Sequence, residues 1–119
     1  MAHNSHELIY KIVPMDTWQQ AEAEGVFKGA GVDIADGFIH FSTSELVRGT
    51  AARFFKGVSN LALVAVQVAP LASKIRWEKS GSGGIYPHLY EPLDLGFVAW
   101  SKPLPMSDSG EHDFTGLLA

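Results

Sequence analysis

Six side chains able to bind a ligand or take part in catalysis fall in two short parts of this chain. They are His40 and Ser42 in the first part, and Trp77, Glu78, His88 and Tyr90 in the second. Alternate side chains of a β-strand point to one face, so His40 should share a face with Ser42. The same rule places Tyr90 beside His88. The remaining sequence is typical of a globular domain, so a functional site is predicted here.

Each of these groups also has a purely structural explanation. His40 could be a core imidazole bonded to a backbone carbonyl, and the segment 86–90 could be an aromatic turn. Glu78 could be a solvent-facing carboxylate. Ser42 is explained more simply as a helix N-cap than as a nucleophile, because it lacks the Gly-x-Ser-x-Gly context.

The residue spacing gives little support to a metal-binding or phosphate-binding motif. His40, Glu78 and His88 would give the ligand count of catalytic zinc or non-haem iron, but they are far apart and show no short ligand spacing. We therefore predict no metal. The glycines at 29–31 and 81–84 lack the strand-before, helix-after context of a dinucleotide fingerprint or a phosphate loop.

Composition limits the class of protein. The chain has 119 residues, 46% of them hydrophobic, which fits one compact domain. Its 13 acidic and 9 basic residues give a net charge of -4, and the scattered basic residues argue against long nucleic acid as a partner. Cysteine is absent, which excludes disulfides and thiol catalysis. Residues 1–7 are polar and no apolar run reaches about 20 residues, so we expect a cytoplasmic protein without a membrane segment.

Periodicity predicts the order strand, helix, strand, helix and three further strands. The elements are Leu8–Val13, Thr17–Glu24, Phe38–Phe41, a helix from the capping box Ser42–Glu45 to Gly57, Leu61–Ala69, Ile75–Glu78 and Leu95–Ser101. This order is typical of an α+β domain, here residues 1–105, with a mixed, mainly antiparallel sheet and two helices. Residues 106–119 are expected to form a loosely ordered tail.

Three further expectations concern the core and the loops. The apolar run Leu61–Ala69 should be the centre of the sheet, buried on both faces. Trp18, Phe54 and Phe55 should lie in the core. The glycine-rich segment 79–84 should be an exposed, mobile loop beside the polar groups, where it could act as a lid.

Three ordered blocks resemble the signature of the bacterial domain-of-unknown-function family 952. They are Asp36-Gly-Phe-Ile-His-Phe-Ser42, Ile75-Arg-Trp-Glu78 and Tyr86-Pro-His-Leu-Tyr90. The resemblance extends over nearly the whole chain. That family is similar, at a remote level, to the ADP-ribosyltransferase superfamily, which includes RNA 2'-phosphotransferases. This kinship implies a split, ADP-ribosyltransferase-like β-sheet with a nucleotide cleft.

The resemblance also implies roles for the six side chains. His40 would hold the adenosine-side ribose of NAD, and Tyr90 or Trp77 would stack on nicotinamide. Glu78 or His88 would stabilise the cationic sugar as the glycosidic bond breaks. His40, Glu78 and His88 are then the expected catalytic residues, and Ser42, Trp77 and Tyr90 the ligand-binding ones. A binding module without turnover, and a buried His/Tyr network with a purely structural role, are the alternatives.

Overall fold

The computed structural model describes residues 7–81 and 83–118, so the expectation about the extreme N-terminus lies outside the described residues apart from Glu7. In these ranges the chain forms three α-helices and eight strands. They are β1 (Leu8–Pro14), α1 (Met15–Glu24), β2 (Val26–Phe27), α2 (Val32–Asp36), β3 (Ile39–His40), α3 (Val47–Phe54), β4 (Leu61–Gln67), β5 (Ile75–Lys79), β6 (Ile85–Leu89), β7 (Leu93–Asp94) and β8 (Val98–Leu104). Short 3-10 turns occupy Ala69–Leu71 and Leu95–Phe97.

Strand β4 is the centre of the main sheet, as predicted from its apolar run. The sheet has the order β1-β4-β8, and both pairings are antiparallel. Alternate side chains of β4 enter two different cores. The first core contains Ile9, Val13, Trp18, Phe27, Ile39, Phe41, Val64 and Val66. The second core contains Tyr10, Ile12, Val47, Leu61, Leu63, Leu104 and Phe114. A strand buried on both faces has no polar side, which explains the nearly continuous hydrophobic sequence.

The site strands belong to a second sheet with the order β3-β6-β5, and β2 and β7 form a separate pair. All the pairings described in the chain are antiparallel. The prediction of an α+β domain is confirmed, but the sheets are antiparallel throughout rather than mixed. Close connections such as the turn between β5 and β6 join antiparallel neighbours directly, whereas parallel neighbours need a long crossover.

One backbone bridge joins the two three-stranded sheets. Tyr10 and Ser42 exchange N–H···O hydrogen bonds, both of 2.8 Å. Continuing that antiparallel register would place Ile12 opposite His40, but no such pairing is found in the described chain. The side chains of Lys11 and Asp33 bond to the backbone of His40 instead. The strands β1 and β3 therefore separate after one bridge and leave a cleft between the sheets.

The helices differ from the prediction in number and in their starts. Helix α1 begins at Met15 rather than Thr17, and Asp16 bonds only the adjacent amide of Thr17. Its end is as predicted, since Gly25 adopts a left-handed φ of 80° and its N–H bonds to Ala21 O. The five-residue helix α2 was missed because the glycines around it indicated a loop.

The predicted cap at Ser42 is wrong. Helix α3 begins at Val47, and no side chain caps it. The amides of Leu46 and Val47 bond instead to the carbonyl of Thr43. Ser42 is tied to Tyr10 by its backbone, which places it before the turn that leads into the helix.

Of the three aromatic side chains predicted to lie in the core, one is buried there, one is half-buried and one is exposed. Trp18 is buried in the first core and Phe55 is half-buried against the second. Phe54 is 70% exposed, so its core assignment is wrong. In helix α3 the buried positions are Val47 and Ala51. Phe54 lies on nearly the same side of the helix as Val47, but at the last helical position its ring lines the open cleft instead of packing in the core.

The C-terminal part departs from its predicted bounds. The segment Leu95–Phe97 is a 3-10 turn, begun by Asp94, whose Oδ1 accepts the amide of Gly96 at 2.8 Å. Strand β8 then continues through Pro103 to Leu104, which an edge strand tolerates. Within the expected tail, Phe114 is buried in the second core.

Candidate functional site

A cleft of about 830 Å³ opens where β1 and β3 separate. Strands β1, β3 and β6 and helices α2 and α3 form its walls. Of the six predicted site residues, His40, Ser42 and His88 line it. The two imidazoles that are far apart in the sequence are thus brought to one concave surface.

His40 and His88 lie opposite each other on β3 and β6. The neighbouring amide of Phe41 bonds to Pro87 O at 3.0 Å, which makes the histidines a pair without backbone hydrogen bonds between them. Side chains approach most closely at such pairs. The ring centroids are 5.0 Å apart, with the rings edge to face.

Phe38 is the centre of an aromatic cluster beside the histidines. Its ring centroid lies 4.5 Å from those of His40 and His88 and 4.6 Å from that of Tyr90. Phe38 and His40 share a face because they are two residues apart in extended chain. The cluster limits the movement of both imidazoles.

Glu78 organises the outer side of this cluster. Its Oε1 is 2.6 Å from His88 Nδ1 and accepts the hydroxyl of Tyr90 at 2.7 Å. The hydrogen bonds from His88 and then Tyr90 hold the pKa of Glu78 below its usual value, and the bond to Glu78 raises the pKa of Tyr90. In the neutral imidazole, a proton on His88 Nδ1 directed at the Glu78 carboxylate leaves the lone pair on Nε2. No partner for Nε2 is present in the described residues.

A second carboxylate, Asp33, anchors His40. Asp33 is 3% exposed, and its Oδ1 accepts from His40 Nδ1 at 2.7 Å and from the His40 amide at 3.1 Å. Its Oδ2 accepts the amide of Ala30 at 3.0 Å and lies 3.0 Å from Lys11 Nζ. Burial alone would raise the pKa of Asp33, but the Lys11 ammonium and the hydrogen bonds outweigh it and lower that pKa. Burial likewise lowers the pKa of Lys11, against the attraction of Asp33.

The two imidazoles differ in the surroundings of Nε2. His40 Nε2 lies 3.1 Å from Oδ2 of Asp36, a side chain that is 49% exposed. His40 is thus held between two carboxylates, whereas His88 is bonded to one. The first arrangement suits a positioning or binding role, and the second suits proton transfer.

Sequence and fold comparisons identify the relatives of this chain. The family model described as "Protein of unknown function (DUF952)" matches residues 12–101. The chain belongs to the DUF952 family. No curated protein matches it.

Solved structures of one protein from Caulobacter crescentus share its fold. The crystal structure of protein CC0527 from Caulobacter crescentus is 42% identical, with a TM-score of 0.86 over 91% of this chain and 95% of that one. The solution NMR structure of CC0527 is 43% identical, with a TM-score of 0.84 over 94% of this chain and 97% of that one.

The three predicted ligand-binding residues of this DUF952 protein, Ser42, Trp77 and Tyr90, are not exposed together in the cleft. Ser42 lines the cleft but is buried, with its Oγ 3.0 Å from Thr50 Oγ1. Trp77 is partly buried against the first core and does not line the cleft. Glu78 and Tyr90 also lie outside the cleft lining and reach it only through His88.

The segment 79–84 forms the turn between β5 and β6. The amide of Ser80 bonds to Gly84 O at 2.8 Å, and the amide of Gly83 bonds to Ser80 O at 3.0 Å. Ser80 and Gly81 line the cleft, so the turn stands at the predicted place. Its action as a lid stays a prediction.

Several residues of the DUF952 site were missed from the sequence. They are Lys11, Asp33, Asp36, Phe38, Arg53 and Tyr86. One available signal was the position of Lys11, between Ile9 and Val13 on an otherwise apolar strand face. A charge at such a position needs a buried partner.

In residues 7–81 and 83–118, no group of three or more acidic and histidine side chains is arranged to hold a metal ion. None of the helices in these ranges is long and apolar enough to cross a membrane.

Proposed function

We propose that this DUF952 protein binds NAD, or a related ADP-ribose nucleotide, in the cleft, breaks its glycosidic bond and transfers the ADP-ribosyl group to water or to an acceptor hydroxyl. The observation that supports the proposal is the pairing of His40 with His88, each bonded to a carboxylate, at the wall of a cleft of about 830 Å³. Paired groups in different environments are typical of sites where proton transfer and binding are divided between residues.

His88 is the proton-transfer residue in this proposal. The lone pair on Nε2 takes a proton from the attacking water or acceptor hydroxyl as its oxygen bonds to the anomeric carbon. The glycosidic C–N bond breaks at the same centre, and nicotinamide leaves with the bonding electrons. Glu78 stabilises the imidazolium through Nδ1, as the carboxylate does in a Ser-His-Asp triad. The proton is then lost to water.

His40 is the ribose-binding residue. Its Nε2 lies beside Asp36, and a ribose hydroxyl could hydrogen-bond to both groups. Tyr90 is a poor stacking surface for nicotinamide, since its ring already contacts Phe38 and lies 4.6 Å from the Arg76 guanidinium. Its role in the proposal is therefore to position Glu78. Trp77, which is partly buried against the first core and lies outside the cleft lining, has no direct role.

Calorimetric titration with NAD and with ADP-ribose tests binding. Wild type should bind at least one of them, and His40→Ala should weaken that binding at least tenfold, the effect of about 1.4 kcal/mol. His112→Ala is the matched control, since His112 lies outside the cleft and bonds to Val58 O. Absence of binding by wild type, or equal binding by His40→Ala, would remove the proposal.

Turnover is tested separately by incubating the protein with NAD and detecting free nicotinamide by mass spectrometry. Release that His88→Ala abolishes supports an enzyme. Binding without release supports the alternative of a binding module.

The structural alternative draws on one observation, the burial of Asp33. It bonds the amides of Ala30 and His40, which fixes α2 against β3 whatever the cleft binds. If the His88 cluster were also only structural, His88→Ala should lower the melting temperature markedly, because the buried imidazole packs with its ring centroid 4.5 Å from that of Phe38 and its removal would leave a cavity. Unchanged stability with lost binding would favour the site.

A further inference from the structure

The α3 side of the cleft carries a cation without a carboxylate partner. Lys11, the other basic residue of the cleft lining, is neutralised by Asp33 at 3.0 Å and donates to His40 O at 2.8 Å. Arg53 instead donates to the hydroxyl of Tyr86 at 3.0 Å, and its guanidinium carbon lies 5.5 Å from the Phe54 ring centroid. No acidic side chain in the described ranges forms an ion pair with it.

The surroundings of Arg53 hold its side chain at the cleft. Tyr86 is fixed by close packing, because a Cβ added to Gly84 would lie 2.9 Å from the Tyr86 ring and 3.1 Å from Leu46. The exposed Phe54 ring flanks the guanidinium on the same helix and also lines the cleft. A guanidinium has five N–H donors, and the bond to Tyr86 uses one of them. The others are available to an oxyanion.

The charges along the cleft are therefore divided. Asp33 and Asp36 lie at the His40 end, and Arg53 lies across the cleft on α3. A ligand with hydroxyls at one end and negative charge at the other matches this distribution, whereas an anion at the His40 end would meet the half-exposed carboxylate of Asp36.

We infer that Arg53 and the Tyr86 hydroxyl form a phosphate subsite of the cleft, with the Phe54 ring as a flat surface for the adjoining part of the ligand. The inference rests on the proposed function and deepens it, since it places the pyrophosphate of the nucleotide at α3 and its sugar at the histidines. Arginine recognises phosphate through paired N–H donors, which a lysine at the same place would not reproduce.

The test is an NMR titration of the full chain with inorganic pyrophosphate and, separately, with ADP-ribose. Pyrophosphate should shift the amide signals of Ser80, Gly81 and Tyr86 in wild type. Arg53→Gln should weaken the binding of both ligands at least about tenfold. Arg53→Lys should restore only part of that binding. Arg48→Gln is the control, because Arg48 lies on the same helix over Phe114, outside the cleft; it should bind as wild type.

The outcomes separate the two proposals. Pyrophosphate binding that needs Arg53, without binding of ADP-ribose or NAD, keeps the phosphate subsite and removes the nucleotide function. ADP-ribose binding that Arg53→Gln leaves unchanged removes the subsite and keeps the function. The subsite is also overturned if Arg48→Gln loses as much binding as Arg53→Gln, or if wild type does not bind pyrophosphate.

Discussion

His40 and His88 face each other across two antiparallel strands, with ring centroids 5.0 Å apart. Each imidazole is bonded through Nδ1 to a different carboxylate, Asp33 or Glu78. The first carboxylate is buried and the second is partly exposed. Two similar imidazole–carboxylate pairs therefore lie side by side in different surroundings.

Glu78→Gln should disturb the tautomer of His88. The carboxylate accepts the Nδ1 proton, whereas an amide can donate as well as accept, so Nε2 would no longer be the sole unprotonated nitrogen. Long-range ¹H–¹⁵N NMR of the imidazoles measures this directly. The His40 signals serve as the internal control. An unchanged His88 tautomer would contradict the assigned role of Glu78.

Asp33→Asn should destabilise the fold by about 3 kcal/mol, because it leaves the buried Lys11 ammonium without its counter-charge. Urea unfolding followed by tryptophan fluorescence gives the free energy. Asp36→Asn is the matched control, since Asp36 is 49% exposed and its loss should cost under about 0.5 kcal/mol. Equal effects of the two substitutions would show that burial does not distinguish the carboxylates.

Asp33 should also make the protein sensitive to acid. Its folded-state pKa lies below the ordinary value of 3.8. A lowered pKa contributes stability that is complete above the unfolded-state value and is lost as the pH falls through the folded-state value. Urea midpoints measured from about pH 6 to pH 2 should therefore decline more steeply below about pH 4 in wild type than in Asp33→Asn. Parallel curves would refute this assignment.

Phe114→Ala should cost about 3 kcal/mol, because its ring is buried in the second core. The same substitution at Phe54, which is 70% exposed, should change stability by less than about 0.5 kcal/mol. Thermal unfolding of the two variants makes the comparison. A small effect at both positions would support a loosely ordered tail over residues 106–119.

The fold class and central strand could be predicted because they depend on local patterns. The apolar run of β4 and the αL glycine after α1 each carry their own signal. The prediction of a helix cap at Ser42 was wrong because the position of Ser42 depends on a contact with a distant part of the chain. A serine three residues before a glutamate fits a capping box, but the backbone of Ser42 is used by a bridge to Tyr10 from a distant strand.

The candidate site could be predicted only in part, for a related reason. His40, Glu78 and His88 stand out as polar residues in two strand-like segments. The partners Asp33 and Lys11 are brought to His40 by α2 and β1, whose positions relative to β3 depend on the whole fold. Trp77 was predicted to bind the ligand, but it lies outside the cleft lining. Its neighbour Glu78 points towards His88, while Trp77 packs on the opposite side of the strand.

The contacts of the His40 backbone have a consequence for solubility. β3 is an edge strand, and an unpaired edge invites strand addition from a second molecule and growth into aggregates. At His40 the outward amide is already bonded to Asp33 and the outward carbonyl to Lys11. These two side chains occupy the place that an invading strand would take, so the pair that shapes the cleft also guards the protein against edge-to-edge self-association.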